Sequence, residues 1–244
     1  MSTFVDLLPR TLDEVGEPEI VEVALEDSGQ RGLTGWDPDA FAEEQIRGLV
    51  RQVFIPGWPK PAQQVVFSPV DLDSDIRAIC MQVALALSAH ARGTTCLVEA
   101  NAEGCGLEET LANNGLDLVP NPDKPVTPDL SNRLSNELWL VPRKVFRAEN
   151  DFESSGPWLR ERLAELRQTF EYTVIYGPPA GCRSEAALLA SLCDGIVLVV
   201  EANVTRKVAA QKAKEKLHAA NARLLGTILS ERTFPIPEAI YNRL

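Results

Sequence analysis

Apolar residues along this chain fall into two alternating rhythms: short continuous runs, and runs in which they recur every three or four positions. The continuous runs predict buried strands at 64–68, Thr94–Ala100, Glu137–Pro142, Tyr172–Tyr176, Ile196–Glu201 and Leu224–Leu229. The spaced runs predict helices between them. Residues 76–90 carry Ile76, Ile79, Cys80, Val83 and Leu87 on one face, and residues 157–170 carry Leu159, Leu163, Leu166 and Phe170. Further helices are expected at 184–192 and 205–220. Ahead of the first strand, Trp36–Phe54 opens with Asp37 as a cap and Pro38 in the first turn, with apolar residues at Phe41, Ile46, Leu49, Val50 and Val53.

The punctuation between these runs sets the organisation. Ile55–Pro61 contains three prolines and a glycine and breaks the first helix. Residues 101–137, with Pro120, Pro122, Pro125 and Pro128, are expected as loop with short helical pieces, and 143–156 as a polar connection. Residues 1–36 are acidic, with weak alternation at Ile20–Leu25, and predict a partly disordered arm with one strand-like piece. The remainder, 37–244, is expected as one domain. Strands alternating with helices of this length give an α/β fold: a single doubly wound, mostly parallel sheet with helices on both faces. Such sheets bind ligands outside the carboxyl ends of their strands.

Composition narrows the partners. The formal net charge is −11, and residues 1–75 hold fifteen acidic against five basic side chains. Phosphate contacts need basic surface, so nucleic acid is not expected as a partner. The five cysteines, Cys80, Cys96, Cys105, Cys182 and Cys193, lack the close pairing of a zinc site and predict reduced, mostly buried thiols. The opening Met-Ser-Thr-Phe-Val-Asp has neither a basic region nor a long apolar core, and Gly195–Val200 is too short to span a bilayer. A cytoplasmic location with no direct membrane span is the expectation.

Val65–Ser88 carries the chemistry that matters most. It reads as a strand, a tight acidic loop and a helix, the frame in which many proteins hold a phosphate at a helix amino end. A phosphate loop needs glycines to turn backbone N–H groups inward, a lysine for the β/γ-phosphates and a hydroxyl for magnesium. Residues 71–77 offer Asp71, Asp73 and Asp75, no glycine, Ile76 at the lysine position and Arg77 at the hydroxyl position. Two unit charges about 4 Å apart interact by roughly 4 kcal/mol at an effective dielectric near 20, so loop carboxylates would repel a polyphosphate on that scale. The helix amino end still has unsatisfied N–H groups and a partial positive charge, which Asp73 or Asp75 can cap. The expectation is that a loop carboxylate takes the phosphate position.

The order of elements resembles the cytoplasmic ATPase domain of bacterial tyrosine kinases of capsule and exopolysaccharide synthesis. These are P-loop proteins of the MinD/ParA-like superfamily, related to partition and division-site ATPases. The resemblance covers roughly 40–244 and rests on four stretches. Val65–Ser88 follows the strand, Walker A loop and helix, and Thr95–Asn101 (Thr-Cys-Leu-Val-Glu-Ala-Asn) stands where the family has V-D-A-D. Phe170–Pro179 with Ser184–Ala186 is similar to Y-D-Y-V-I-I-D-T-P-P and S-D-A, and Gly195–Leu229 matches the tail of the domain. Phe234–Tyr241 looks like the close of exopolysaccharide-cluster members. The resemblance implies departures at the chemistry. Ile76 and Arg77 replace the Walker A lysine and hydroxyl, and Asp73 and Asp75 replace loop glycines. Glu99 keeps the first acid of the second motif while Asn101 replaces the second. Tyr176 stands for the Walker B aspartate, Gly177 for the following threonine, and Ser230 for the base-reading asparagine. A tyrosine-rich tail is absent, with Tyr241 alone near the end.

Other motifs weigh less. Asp71-Leu-Asp-Ser-Asp75 resembles the start of a calcium loop, but Ile76 and Gln82 stand where Gly and Glu are needed, so capping is preferred and no metal is expected. Cys182, beside Arg183 near a helix start, could be an activated thiol, but no matched histidine is close in sequence, and an inert cysteine is the default. Glu44, Arg47 and Arg51 resemble the family's E-x-x-R-x-x-R subunit-contact motif, with Val50 at its third position and Arg51 adjacent; a solvated face is the alternative. Arg206, Lys207, Lys212, Lys214 and Lys216 make the 205–220 helix basic, as a solvated face or as a contact for anionic lipid or an acidic partner tail.

These observations leave three functions open. The leading one is a degenerate, non-catalytic ATPase or tyrosine-kinase-like regulator or scaffold of polysaccharide synthesis or export. It would work without cofactor, with a membrane co-polymerase or adaptor tail or a kinase homologue as partner, and could form a homo-oligomer. The second is an active divergent autokinase using ATP, magnesium and residual groups such as Glu99. The third is a MinD/ParA-like positioning protein.

Overall fold

The computed structural model describes residues 38–54, 61–90, 93–101, 106–107, 110–111, 132–135, 137–143 and 155–231. The acidic arm, the cap Asp37, Cys105, the four prolines at 120–128 and Phe234–Tyr241 lie outside the described residues.

Helix α1 (Pro38–Val53) precedes strand β1 (Gln64–Pro69), helix α2 (Arg77–His90) and strand β2 (Thr95–Glu99). Strands β3 (Asn132–Ser135) and β4 (Leu138–Val141) follow, then helix α3 (Ser155–Thr169) and strand β5 (Tyr172–Tyr176). Helix α4 (Ser184–Leu192), strand β6 (Gly195–Glu201), helix α5 (Lys207–Ala219) and strand β7 (Leu224–Ser230) complete the described chain. The seven strands form one sheet in the order β3-β4-β2-β5-β1-β6-β7. Six run parallel, and these are the six that the apolar runs predict. The correction falls on 101–137: Asn132–Ser135 is no loop but an antiparallel edge strand on β4, with a register irregularity between Arg133 and Ser135. A single apolar residue, Leu134, in a four-residue polar run gives no alternation to read.

Period-two geometry divides the core. Val65, Phe67, Val174 and Tyr176 face one side of the sheet and pack with Ile46, Leu49 and Phe54 of the α1 segment and Ile79, Val83 and Leu87 of α2. Val66, Cys96, Val98 and Ile175 face the other, against Leu159, Leu163 and Leu166 of α3, Leu189 of α4 and Leu217 of α5. Strand β1 lies between β5 and β6 and is buried along its whole length. Asp194, just ahead of β6, fixes the start of β1: its Oδ2 accepts the N–H groups of Gln63 and Gln64, both at 2.8 Å, while its Oδ1 accepts from Arg167 at 3.0 Å. The chain crosses from β1 to β2 on one side and adds β6 and β7 on the other. The resulting crevice lies at the head of α2.

Candidate functional site: the head of helix α2

The loop between β1 and α2 satisfies its own polar groups. Asp75 Oδ1 accepts the backbone N–H of Arg77 at 3.0 Å and the Arg77 Nε–H at 2.8 Å, and Oδ2 accepts from Arg77 Nη2 at 2.6 Å. The carboxylate therefore caps the first turn and holds the guanidinium flat against itself. The Arg77 guanidinium keeps the Asp75 carboxyl below its ordinary range, with partial burial opposing. Ile76, expected from the resemblance at the lysine position, is buried in the α1–α2 core. Asp73 is exposed and makes no hydrogen bond among the described residues.

The other two loop groups reach sideways to the turn after β6. The Thr205 hydroxyl donates to Asp71 Oδ2 and accepts the Glu201 N–H at 3.0 Å. The Ser74 hydroxyl donates to Glu201 Oε2 at 2.7 Å. Two hydroxyl–carboxylate bonds thus tie the loop at the head of α2 to the start of α5. On the opposite flank, Gly177–Gly181 packs on the end of β1 through N–H bonds from Gly177 to Phe67 O, Ala180 to Pro69 O and Gly181 to Val70 O. A side chain at Gly181 would place its Cβ 2.4 Å from the Val70 carbonyl oxygen, so this approach requires glycine.

Tyr176 closes the crevice from below. It ends β5, pairs in register with Phe67 and Glu99, and is 4% exposed. Asn101 Nδ2 donates to its hydroxyl at 2.7 Å, and the N–H groups of Ala100 and Asn101 donate to its carbonyl at 2.9 and 3.0 Å. Burial raises the Tyr176 hydroxyl above its ordinary value; the Asn101 bond opposes this, the nearby Asp75 charge adds to it, and Arg77 lowers it. Glu99, 2% exposed, accepts from Arg143 Nη2 at 2.8 Å.

The structure therefore gathers Asp75, Arg77, Tyr176 and Asn101 at one place, with Glu99 next to them across the β2–β5 pairing. Asp71 turns to the α5 side. Ser230 stands apart at the end of β7, two strands from β1, where its carbonyl accepts the Ala202 N–H at 2.8 Å. Glu44 and Arg47 lie on α1, away from this cluster; Arg47 pairs within its own helix with Glu43 at 2.9 Å and Glu44 at 3.1 Å, and Arg51 is exposed. Cys182 is exposed, whereas burial pushes the thiols of Cys80 and Cys96 up and that of Cys193 to about 12. Arg143, Ser74, Glu201 and Thr205 are additions that the sequence reading missed. For Arg143 the signal was its place directly after a strand end, at Val141-Pro-Arg143.

The α2 amino end is met by Asp75, Ile76 lies in the core, and the Tyr176 phenol is held by the Asn101 amide. Among the described residues no three His, Cys, Asp or Glu converge as metal ligands.

Sheet order, two-sided helices and a strand–loop–helix crevice at the carboxyl ends give a doubly wound α/β fold similar to that of P-loop NTPases such as MinD. MinD in the MinC:MinD complex of Aquifex aeolicus superposes with a TM-score of 0.51 at 17% identity, over 69% of this chain and 67% of that one. Within the class the chain resembles bacterial tyrosine kinases. It is 34% identical to the tyrosine-protein kinase CpsD of Streptococcus agalactiae over 74 residues, 30% of this chain and 32% of that protein. The match thus spans about a third of that relative's length. The kinase domain of the Escherichia coli tyrosine kinase ETK superposes with a TM-score of 0.62 at 17% identity, over 81% of this chain and 79% of that one. At such identities the structural likeness is one of fold. No protein-family model matches the chain. No helix among the described residues is long and apolar enough to cross a membrane.

Proposed function

We propose that this chain is a non-catalytic, degenerate member of the tyrosine-kinase-like ATPases, acting as a regulator or scaffold in bacterial capsule or exopolysaccharide synthesis or export. The similarity to the bacterial tyrosine kinases supports the choice of pathway. The non-catalytic reading rests chiefly on one observation: polar groups at the head of α2 are bonded to one another, the Arg77 N–H donating to Asp75 and the Asn101 amide to the Tyr176 hydroxyl. A carboxylate already at the helix amino end supplies the negative charge that a phosphate would otherwise bring. Glu99, the acid that an active kinase would need free for metal, is committed to Arg143. The partners in this reading are the cytosolic tail of a membrane co-polymerase or adaptor, or a kinase homologue, with recruitment to the inner membrane through that partner.

Isothermal titration calorimetry with magnesium-ATP, paired with an autophosphorylation assay using labelled ATP, tests the reading. No heat of binding at millimolar nucleotide and no incorporated label are expected. Tight magnesium-dependent binding or phosphotyrosine on the chain overturns it.

A further inference from the structure

We propose that the open edge of β7 pairs antiparallel with β7 of a second copy of this chain. Strand β7 ends the sheet, with β6 as its neighbour on the inner side. The Ser230 carbonyl accepts the Ala202 N–H at 2.8 Å, so Ser230, Ile228 and Gly226 turn their backbone groups towards β6. Thr227 and Leu229 turn theirs outward, where no hydrogen bond reaches them among the described residues. Their side chains are partly exposed and lie beside Leu198 and Val200, on the sheet face that α5 covers. The two sheet edges differ in protection. At β3 the edge is four residues long, carries Arg133 and has a register irregularity. Strand β7, Leu-Leu-Gly-Thr-Ile-Leu-Ser, has neither charge nor proline, and its irregularity lies ahead of Gly226. A regular, uncharged, largely apolar edge is a template for another strand.

The strand's own sequence selects its partner. An antiparallel pair centred on Ile228 sets Thr227 opposite Leu229 of the second copy, and Leu229 opposite its Thr227, each pair exchanging both N–H···O bonds. Gly226 then faces Ser230, and no like charges meet along the strand. A charged foreign strand would find nothing on this edge to select it, whereas a second copy matches it in length and polarity. The two-fold axis uses up both β7 edges and the β3 edge is blunted, so association closes at the dimer. So short an edge buries less than the roughly 1,200 Å² at which stable complexes begin, which makes the dimer reversible. Helix α5 sets the response to salt. Lys207, Lys212, Lys214 and Lys216 outnumber Glu215 on its exposed face, and the two-fold places both copies of α5 on one side of the joined sheet. Salt screens that repulsion and tightens the pair. This surface is separate from Glu44, Arg47 and Arg51 on α1, and it stands whether or not the crevice binds nucleotide.

Sedimentation velocity of the full chain over a roughly hundredfold range of concentration, at low and high salt, tests this. A monomer–dimer equilibrium that stops at the dimer and tightens at high salt is expected, with amide exchange at Thr227 and Leu229 slowing as the dimer fills. Thr227→Pro removes an outward N–H and leaves the bonds to β6, and Thr227→Lys sets a charge on the edge. Each should abolish the dimer with circular dichroism unchanged, whereas Arg47→Glu on α1 should leave it intact. A chain that is monomeric at every concentration overturns the proposal, as does a dimer that survives both Thr227 variants or one that Arg47→Glu dissolves. Thr227 and Leu229 amides equally protected at every concentration would assign the edge to another segment of the same chain and overturn it too.

Discussion

Substituting Tyr176 and Asn101 singly and together measures the contact that closes the crevice. Both residues are at most 5% exposed and their side chains meet at 2.7 Å. A neutral hydrogen bond in such a place contributes about 0.5–1.5 kcal/mol net, and removing one partner costs about 1–3 kcal/mol because the other must be desolvated without it. Tyr176→Phe keeps the ring in the core, so its loss isolates the hydroxyl. For a chain of this size each kcal/mol lowers Tm by about 2–4 °C. Urea unfolding of Tyr176→Phe, Asn101→Ala and the double variant should give a coupling energy of about 0.5–1.5 kcal/mol. Alkaline titration supplies an independent reading. The folded hydroxyl has its pKa raised above the ordinary 10.0, so its contribution to stability is complete below that value and is lost as pH rises through the folded value. Tyr172 is shifted in the same direction, so the difference between wild type and Tyr176→Phe above pH 10 is the informative quantity. Single effects that add within about 0.3 kcal/mol, together with identical alkaline limbs, would refute the reasoning.

Replacing Asp73 and Asp75 together by glycine should lower the thermal midpoint, because the cap on the Arg77 N–H is worth about 1 kcal/mol and glycine loosens the loop; an unchanged midpoint refutes the capping role. Asp75 has its carboxyl pKa depressed, so its share of stability is present above the ordinary carboxylate range and disappears as pH falls through the folded value; Asp75→Ala should reduce the acid-limb slope of stability. Asp194→Ala removes the acceptor of two backbone N–H groups and of Arg167 and should cost about 2–4 kcal/mol by urea unfolding, with Asp194→Asn restoring part of it.

The strands were legible because each parallel strand is a continuous apolar run, as at Val65–Phe67, and the helices because their apolar residues keep a 3.6 period. β3 was not, since an edge strand buries little and Asn132–Ser135 has one apolar residue. Strand order was hidden for another reason: periodicity gives the face of a strand but not its neighbour, and β5 inserts between β2 and β1 from 73 positions beyond β2. At the site, local contacts could be read, such as a carboxylate two residues ahead of a helix start. The contacts of Asn101 with Tyr176, 75 positions apart, and of Asp71 with Thr205, 134 apart, could not, because they depend on which strand ends the sheet brings together.

Tyr176 belongs at once to the polar crevice and to the apolar layer beneath α1 and α2. An aspartate there would bury a carboxylate in the space of an aromatic ring, near the carboxylate of Asp75, and leave a void among Val65, Phe67 and Val174. Desolvation of an unpaired ion in proteins amounts to several kcal/mol, a large fraction of the whole stability of a domain. The position therefore works as a lock: with the ring serving as structural mortar, no single exchange at 176 can install a metal-binding acid without endangering the fold.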